Sequence, residues 1–230
     1  MKIGILQTGY ASDAMKVTEG DFPDMFARLL DGFGFEFETF KVLENEFPAD
    51  AHAADGWLIT GSRHGAYEAH DWIPPLEQLI RDIYTAQLPM IGVCFGHQII
   101  AQALGGRVEK YHDGWSVGRK TYTGPDGEEI SLLAWHQDQV VELGPDAKVI
   151  AGDDFCKNAI LSYGDTVYTM QPHPEFGARA IEHLIESHQD KVLPERLAEA
   201  DQNRVLPVDV DKTAARFAEF FKQNAKQKVA

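Results

Sequence analysis

Apolar residues follow two different periodicities along the first half of the chain. Short apolar runs with the length of buried strands cover residues 3–7, 35–40, 56–60 and 90–93. Apolar positions also recur at helical spacing, with one stripe over 76–83 and another over 99–104. Strands that alternate with helices predict an α/β fold built on a doubly wound, mostly parallel sheet with helices on both faces.

The pattern changes in the middle of the chain. Between residues 107 and 170, short alternating segments are broken by Gly, Pro and Asp, which predicts a smaller β-rich segment. A helix is predicted over about 175–188, and three phenylalanines mark an amphipathic helix in the tail: Phe217, Phe220 and Phe221. The polar stretch 189–211 between these helices is interpreted as a return across the surface.

The chain is expected to form one domain over 1–230, with a C-terminal extension from about 190 to 230. With 44% apolar residues in 230, it can bury a sizeable core. No internal repeat or low-complexity linker divides it.

Charge and hydropathy exclude several classes of partner. A formal net charge of −15 would repel phosphate backbones, so nucleic acid is not expected as a partner. No segment approaches the roughly 20 apolar residues of a membrane helix, and the first apolar run predicts a buried strand rather than a signal peptide. Two cysteines are too few for a disulfide framework, so we expect a cytoplasmic protein.

The strongest chemical signal is a cysteine between a predicted strand and a predicted helix. Gly92-Val93-Cys94-Phe95-Gly96 matches the G-x-nucleophile-x-G elbow, in which glycines allow a tight turn that lifts the side chain above the sheet. The N-terminus of the following helix favours a thiolate. The alternative is a small buried cysteine at a strand end. Cys156 lacks this context and is interpreted as structural or incidental.

A thiolate needs a proton shuttle, and the best of nine histidines is His173. It follows the predicted strand over 167–170, and Glu175 can reach the same imidazole to set its tautomer. The alternative is an ordinary loop histidine.

A glycine turn follows another predicted strand, at Thr60-Gly61-Ser62. Because the carboxyl ends of parallel strands share one edge of a sheet, this turn and the Cys94 elbow should open on the same crevice. An N–H of Gly61 or Ser62, together with that of Phe95, could then bind a tetrahedral oxyanion. An ordinary turn before a loop is the alternative.

Together these segments resemble the class I glutamine amidotransferases, a flavodoxin-like family. The resemblance runs from about residue 55 to 176 and includes the 79-residue interval from Cys94 to His173. It implies that cysteine, histidine and glutamate hydrolyse a side-chain amide, and that Gln98 helps to hold the substrate. It also implies that a His-x-Asp segment within the predicted β-rich region, His136-Gln137-Asp138, lines the site, and the neighbouring Trp135 is expected to wall the pocket.

Two departures from the family pattern favour one branch. Ser62 replaces a second glycine in the oxyanion turn, and Gln137 replaces a glycine between His136 and Asp138. Both features look more like the stand-alone γ-glutamyl peptidases, which cleave γ-glutamyl bonds of peptides and conjugates.

The resemblance implies a small-molecule γ-glutamyl substrate, a γ-glutamyl thioester on Cys94, and no metal or organic cofactor. Three hypotheses remain. The chain could be a glutaminase-type subunit that passes ammonia to a separate synthase subunit, or a γ-glutamyl peptidase that needs no partner. It could also be a binding or redox-sensing protein that keeps the cysteine without amide chemistry.

Overall fold

A computed structural model describes residues 1–226 of the chain. Its strands are β1 (Lys2–Leu6), β2 (Glu36–Phe40), β3 (Gly56–Ile59), β4 (Met90–Val93), β5 (Arg107–Lys110), β6 (Ser116–Thr123), β7 (Glu129–His136), β8 (Asp138–Glu142), β9 (Ala147–Ala151), β10 (Ile160–Tyr163) and β11 (Val167–Met170). Its helices are α1 (Asp13–Glu19), α2 (Phe22–Leu29), α3 (Ile73–Thr85), α4 (Phe95–Ala103), α5 (Ala178–Ser187), α6 (Pro194–Asn203) and α7 (Val210–Lys226).

The central sheet has seven strands in the order β2-β1-β3-β4-β11-β10-β9. Its first five strands are mutually parallel, and β10 and β9 run antiparallel at one side. Two antiparallel pairs, β5 with β8 and β6 with β7, form the smaller β-rich part. The predicted doubly wound, mostly parallel sheet with a smaller β-rich segment is therefore confirmed.

Helices cover both faces of the sheet because the side chains of its strands alternate. In β3, Trp57 and Ile59 pack with α3 and α4, whereas Leu58 packs with α2 and α7 on the other face. The inner parallel strands β1, β3, β4 and β11 are buried on both faces, which explains why their sequences are nearly continuous apolar runs.

Strand register brings two chain segments to the same edge. β4 and β11 are parallel neighbours with Val93 opposite Met170, so the residues that follow both strands leave the sheet side by side. β3 lies on the other side of β4 and ends at the same edge. The turns predicted to carry chemistry are thus adjacent.

Three helices lie where the sequence pattern did not predict them. α1 and α2 occupy the stretch after β1. α6 lies within residues 189–211, which from the sequence alone are interpreted as a return of the chain across the surface. Only Leu197 and Ala200 of α6 are buried, so its apolar stripe is too thin for the periodicity to reveal a helix. Residues 227–230 of the expected C-terminal extension lie outside the described residues. In the described part of the chain, no helix combines the length and the apolar character needed to cross a bilayer.

Candidate active site

Cys94 lies in a strained turn between β4 and α4. Its φ of 54° and ψ of −105° place it in a region that a non-glycine residue rarely adopts. The two flanking positions have no room for a side chain, so both must be glycine. A Cβ on Gly96 would lie 2.3 Å from the Ile59 carbonyl oxygen, and a Cβ on Gly92 would lie 2.6 Å from the Gly96 backbone. The sequence G-x-C-x-G therefore reflects the packing of α4 against β3 and β4.

The imidazole of His173 is held from three directions. Its backbone N–H donates to the Leu133 carbonyl of β7 at 2.8 Å, and its Nδ1 lies 2.7 Å from Glu175 Oε1. The Phe176 ring stacks on the imidazole, with centroids 4.0 Å apart and an interplanar angle of 1°. Because Nδ1–H donates to the carboxylate, Nε2 is the nitrogen left for chemistry.

Gly61 shows how close the thiol and the imidazole are to each other. A Cβ on Gly61 would lie 3.1 Å from His173 Cε1 and 3.7 Å from Cys94 Cβ, so one position touches both side chains. Cys94, His173 and Glu175 are all buried. The structure therefore brings the three residues of the expected triad together at the carboxyl edge of the sheet.

Burial and charge act in opposite directions on His173. Burial by itself would lower the pKa of the imidazole, but the Glu175 carboxylate and the Cys94 side chain raise this pKa to about 10. The ring is therefore held in its protonated form at neutral pH.

The predicted oxyanion donors have unused N–H groups. Among residues 1–226, the backbone N–H groups of Gly61, Ser62 and Phe95 donate to no acceptor, whereas that of Gly96 donates to the Thr60 carbonyl at 3.1 Å. Ser62 packs against the chain after β1, where a Cβ on Gly9 would lie 2.8 Å from Ser62 Cα. Gly61, rather than Ser62, faces Cys94.

A buried threonine pair holds this turn in place. The Thr8 hydroxyl lies 2.9 Å from the Thr60 carbonyl oxygen and 3.1 Å from the Gly61 carbonyl oxygen, and the Thr8 N–H donates to Thr60 Oγ1. Sequence reasoning missed Thr8. The available signal was a threonine two residues after β1, at the edge where the oxyanion turn was expected.

Gln98 connects several parts of the site. Its side-chain Nε2 donates to the Asp138 carbonyl and to Gln171 Oε1, both at 3.0 Å. These two bonds use both amide protons, so a substrate would meet the Gln98 oxygen rather than its nitrogen.

The other residues that the resemblance implied lie in different environments. His136 is buried and its Nδ1 lies 3.1 Å from the Asp138 carbonyl oxygen, while burial lowers the pKa of His136 to about 3. The Asp138 carboxylate faces Tyr67, and burial raises the pKa of this carboxylate. Gln137 donates only a long bond of 3.4 Å, to the Tyr111 carbonyl.

Trp135 belongs to an aromatic cluster. Its ring centroid lies 6.3 Å from that of Trp115 and 5.4 Å from that of His188. Trp135 also belongs to the same buried cluster as Phe176, whose ring stacks on His173. Its role as a wall of the pocket stays a prediction.

One further histidine, His97, and the second cysteine, Cys156, are buried in the interior of the protein. His97 is fully buried, with Nδ1 2.8 Å from Thr169 Oγ1, and burial lowers its pKa to about 3. Burial raises the pKa of the Cys156 thiol, so this cysteine is kept as an inert thiol. Neither residue has the setting of a catalytic group.

Comparison with known proteins fits this geometry. A family model described as "Glutamine amidotransferase class-I" matches residues 22–189. The chain belongs to this family. Gamma-glutamyl peptidase 3 of Arabidopsis thaliana is 28% identical over 206 residues, covering 83% of this chain and 81% of the relative.

A further relative and a solved structure extend the comparison. One component of the glutamine-hydrolyzing GMP synthase of Archaeoglobus fulgidus is 30% identical over 184 residues, covering 73% of this chain and 93% of the relative. The crystal structure of a glutamine amidotransferase from Methylobacillus flagellatus superposes with a TM-score of 0.73 at 20% identity, covering 99% of this chain and 94% of that chain. The structural match shows the shared fold.

Proposed function

We propose that this chain is a thiol hydrolase that cleaves a γ-glutamyl amide bond through a γ-glutamyl thioester on Cys94. The observation that carries the proposal is the buried Cys94, His173 and Glu175 constellation beside backbone N–H groups that have no acceptor within residues 1–226. A cysteine in a strained turn next to an oriented imidazole is the arrangement that nucleophilic acyl transfer requires.

The first half-reaction forms the thioester. The Cys94 sulfur attacks the γ-carbonyl carbon, and the carbonyl π electrons move to oxygen. When the tetrahedral intermediate collapses, the C–N bond breaks and His173 Nε2–H donates its proton to the departing amine. Ammonia leaves if the substrate is glutamine, and a larger amine leaves if it is a γ-glutamyl peptide.

Backbone N–H groups stabilise the oxyanion in both half-reactions. Phe95 and Gly61 are the better-placed pair, because Gly61 faces Cys94 while Ser62 packs against Gly9. Loss of a single such donor elsewhere costs roughly 3 kcal/mol of transition-state stabilisation.

The second half-reaction releases glutamate. His173, now neutral, removes a proton from a water molecule that attacks the thioester carbonyl. The proton taken from water returns His173 to its imidazolium form. The C–S bond then breaks, Cys94 leaves as the thiolate, and the released γ-carboxylic acid loses its proton to solvent. One imidazole therefore serves both steps, as the acid in the first and as the base in the second.

The leaving amine distinguishes two versions of the proposal. The similarity to gamma-glutamyl peptidase 3 supports a stand-alone peptidase acting on γ-glutamyl peptides or conjugates. The similarity to one component of a GMP synthase supports a glutaminase that delivers ammonia to a separate synthase. We favour the peptidase because Ser62 and Gln137 follow that branch.

The test is release of glutamate from glutamine, γ-glutamyl dipeptides and a glutathione conjugate by the purified chain. Cleavage of the peptides by the isolated chain supports the peptidase. Glutaminase activity that rises only when a candidate synthase is added supports the ammonia-delivering version.

Two cysteine variants provide the control. Cys94→Ser should lower glutamate release on the order of 10³-fold or more, while Cys156→Ala should retain it. If both variants retain activity, Cys94 is not the nucleophile and the proposed mechanism is wrong. If no γ-glutamyl substrate is cleaved and Cys94 forms no covalent adduct, the sensor hypothesis replaces the enzyme.

A further inference from the structure

Three potential metal ligands converge on the loop between the oxyanion turn and α3. His64 Nδ1 lies 3.3 Å from Glu68 Oε2, and His70 Nε2 lies 2.7 Å from the same oxygen. The donor atoms of all three residues lie within 4.8 Å of one another. This is the one such grouping of His, Cys, Asp and Glu within residues 1–226, and the hydrolytic mechanism does not use it.

The spacing of these atoms is close to that of a zinc site. Zn²⁺ binds nitrogen and oxygen at about 2.0–2.1 Å in tetrahedral geometry, which sets neighbouring donor atoms about 3.3 Å apart. The distance from His64 Nδ1 to Glu68 Oε2 already has this value. The bond between His70 and Glu68, at 2.7 Å, would open by roughly 0.6 Å when an ion replaces the shared proton.

Short-range contacts hold the loop in the conformation that brings these ligands together. The Glu68 N–H donates to the Gly65 carbonyl and the His70 N–H donates to the Glu68 carbonyl, both at 3.0 Å. The His64 N–H donates to Ser62 Oγ at 3.2 Å. Because the backbone already presents all three side chains to one point, binding an ion requires little rearrangement.

Aromatic packing orients the two imidazoles. The His70 ring stacks on Trp72, with centroids 5.7 Å apart and an interplanar angle of 12°, and the His64 ring meets the same indole edge-on at 6.1 Å. Trp72 is buried and packs in turn on Phe95, at 5.5 Å between centroids. Contacts that orient the ligands in this way commonly accompany metal-binding histidines.

We propose that His64, Glu68 and His70 bind one divalent transition-metal ion, with Zn²⁺ as the best match. Two imidazoles and a carboxylate form a donor set that zinc accepts, and three protein ligands leave one position for water. The side chains are 29%, 42% and 34% exposed, so an ion can enter from solvent. The bound ion would fasten the loop that joins Gly61 to Trp72.

Zinc titration of the Cys94→Ser protein tests the site, since this background removes the reactive thiol as a competing ligand. Equilibrium dialysis should show one bound equivalent. His70→Ala and His64→Ala should each weaken binding by more than the roughly 10- to 100-fold that loss of an outer contact costs elsewhere. His112→Ala removes an exposed histidine outside the cluster. This variant should still bind one equivalent of zinc with unchanged affinity.

Three results would contradict the zinc site. The proposal is wrong if the Cys94→Ser protein binds no zinc, or if His70→Ala still binds one equivalent with unchanged affinity. Loss of binding on His112→Ala with retention on His70→Ala would locate the ion elsewhere.

Two further measurements separate ligation from a folding effect. Zinc should raise the unfolding midpoint of the Cys94→Ser protein but not of its His70→Ala derivative, because a ligand that binds only the folded state stabilises it. Co²⁺ in the same background should give the visible bands of a four-coordinate site without a thiolate charge-transfer band. A thiolate band would assign the ion to Cys156 and overturn the proposal.

Discussion

At the scale of single residues, the proposed catalysis depends on how His173 is held. Glu175 fixes one nitrogen of the ring, Phe176 covers its face, and the backbone bond to Leu133 ties it to β7. Each contact restricts a different motion of the ring. The imidazole therefore meets the Cys94 thiol in one orientation and one tautomer.

Glu175→Gln tests the electrostatic part of this arrangement. The carboxylate raises the pKa of His173, so its removal should lower that pKa and leave less imidazolium at alkaline pH. We expect the alkaline limb of the pH profile of kcat/KM to move to lower pH by roughly one unit or more. A variant whose alkaline limb stays at the wild-type position would contradict this role for Glu175.

Gly61→Ala tests whether the space between the side chains of Cys94 and His173, the two proposed catalytic residues, must stay free. The added methyl would lie 3.1 Å from His173 Cε1 and 3.7 Å from Cys94 Cβ, so it would displace the imidazole from the thiol. We expect kcat to fall at least about 100-fold, as for small misplacements of catalytic groups elsewhere, with little change in the unfolding midpoint. Activity close to wild type would show that the ring does not need this position.

The sequence indicated the candidate reacting residues, and the structure brings them together, but the residues that support them could not be predicted. Cys94 and His173 stand out because each follows an apolar strand and is flanked by residues that fix the backbone. Thr8 and Phe176 act through contacts that join separate elements or stack on a ring, and no local pattern reports such contacts. Trp135 directly precedes the His136-Gln137-Asp138 segment, yet its packing with Trp115 and His188 could only be seen in three dimensions.

At the scale of elements, the approach of α4 to β3 shapes the elbow. The Gly96 N–H donates to the Thr60 carbonyl, and the glycine leaves no room for a side chain beside Ile59. This close approach places the N-terminus of α4 directly behind Cys94, the proposed nucleophile.

Gly96→Ala should disrupt this packing. Its methyl group would lie 2.3 Å from a backbone oxygen that cannot move without distorting β3. We expect the free energy of unfolding, measured with urea, to fall by about 3 kcal/mol. Gly177→Ala is the matched control, since a Cβ there meets nothing within 4 Å, and it should change stability by less than about 1 kcal/mol.

Elements that bury many apolar side chains could be predicted from the sequence, whereas elements that bury only one or two could not. β4 and β11 are buried on both faces and were predicted with their observed bounds, whereas α1 buries only Met15 and was missed. β4 and β11 pair in parallel although more than 70 residues of chain separate them. The α/β pattern predicted only that the carboxyl ends of such strands share one edge of the sheet.

At the scale of the whole molecule, two neutral histidines lie in the interior. Burial lowers the pKa of His97 and of His136 to about 3, below the ordinary value of 6.5. As the pH falls through 6.5, the unfolded chain binds protons that the folded chain does not. Stability contributed by the neutral rings is therefore complete above pH 6.5 and declines as the pH falls towards 3.

Measuring the free energy of unfolding as the pH is lowered tests this predicted loss of stability. Between pH 6.5 and 5, the free energy of unfolding should fall by roughly 1 kcal/mol per pH unit for each of the two histidines. His97→Gln should show a shallower decline, while His112→Gln, which changes an exposed histidine, should follow the wild type. A wild-type stability that is flat over this range would contradict the buried neutral state.

The central claim is that Cys94 is the nucleophile of a γ-glutamyl transfer, and covalent trapping tests it most directly. A glutamine analogue with a diazoketone in place of the side-chain amide should label Cys94 alone, and a γ-glutamyl dipeptide should protect against labelling. Peptide mapping by mass spectrometry identifies the modified residue. Labelling of Cys94 that the dipeptide slows is the result that the account predicts; labelling of Cys156 instead, or no labelling at all, is the result that would contradict it.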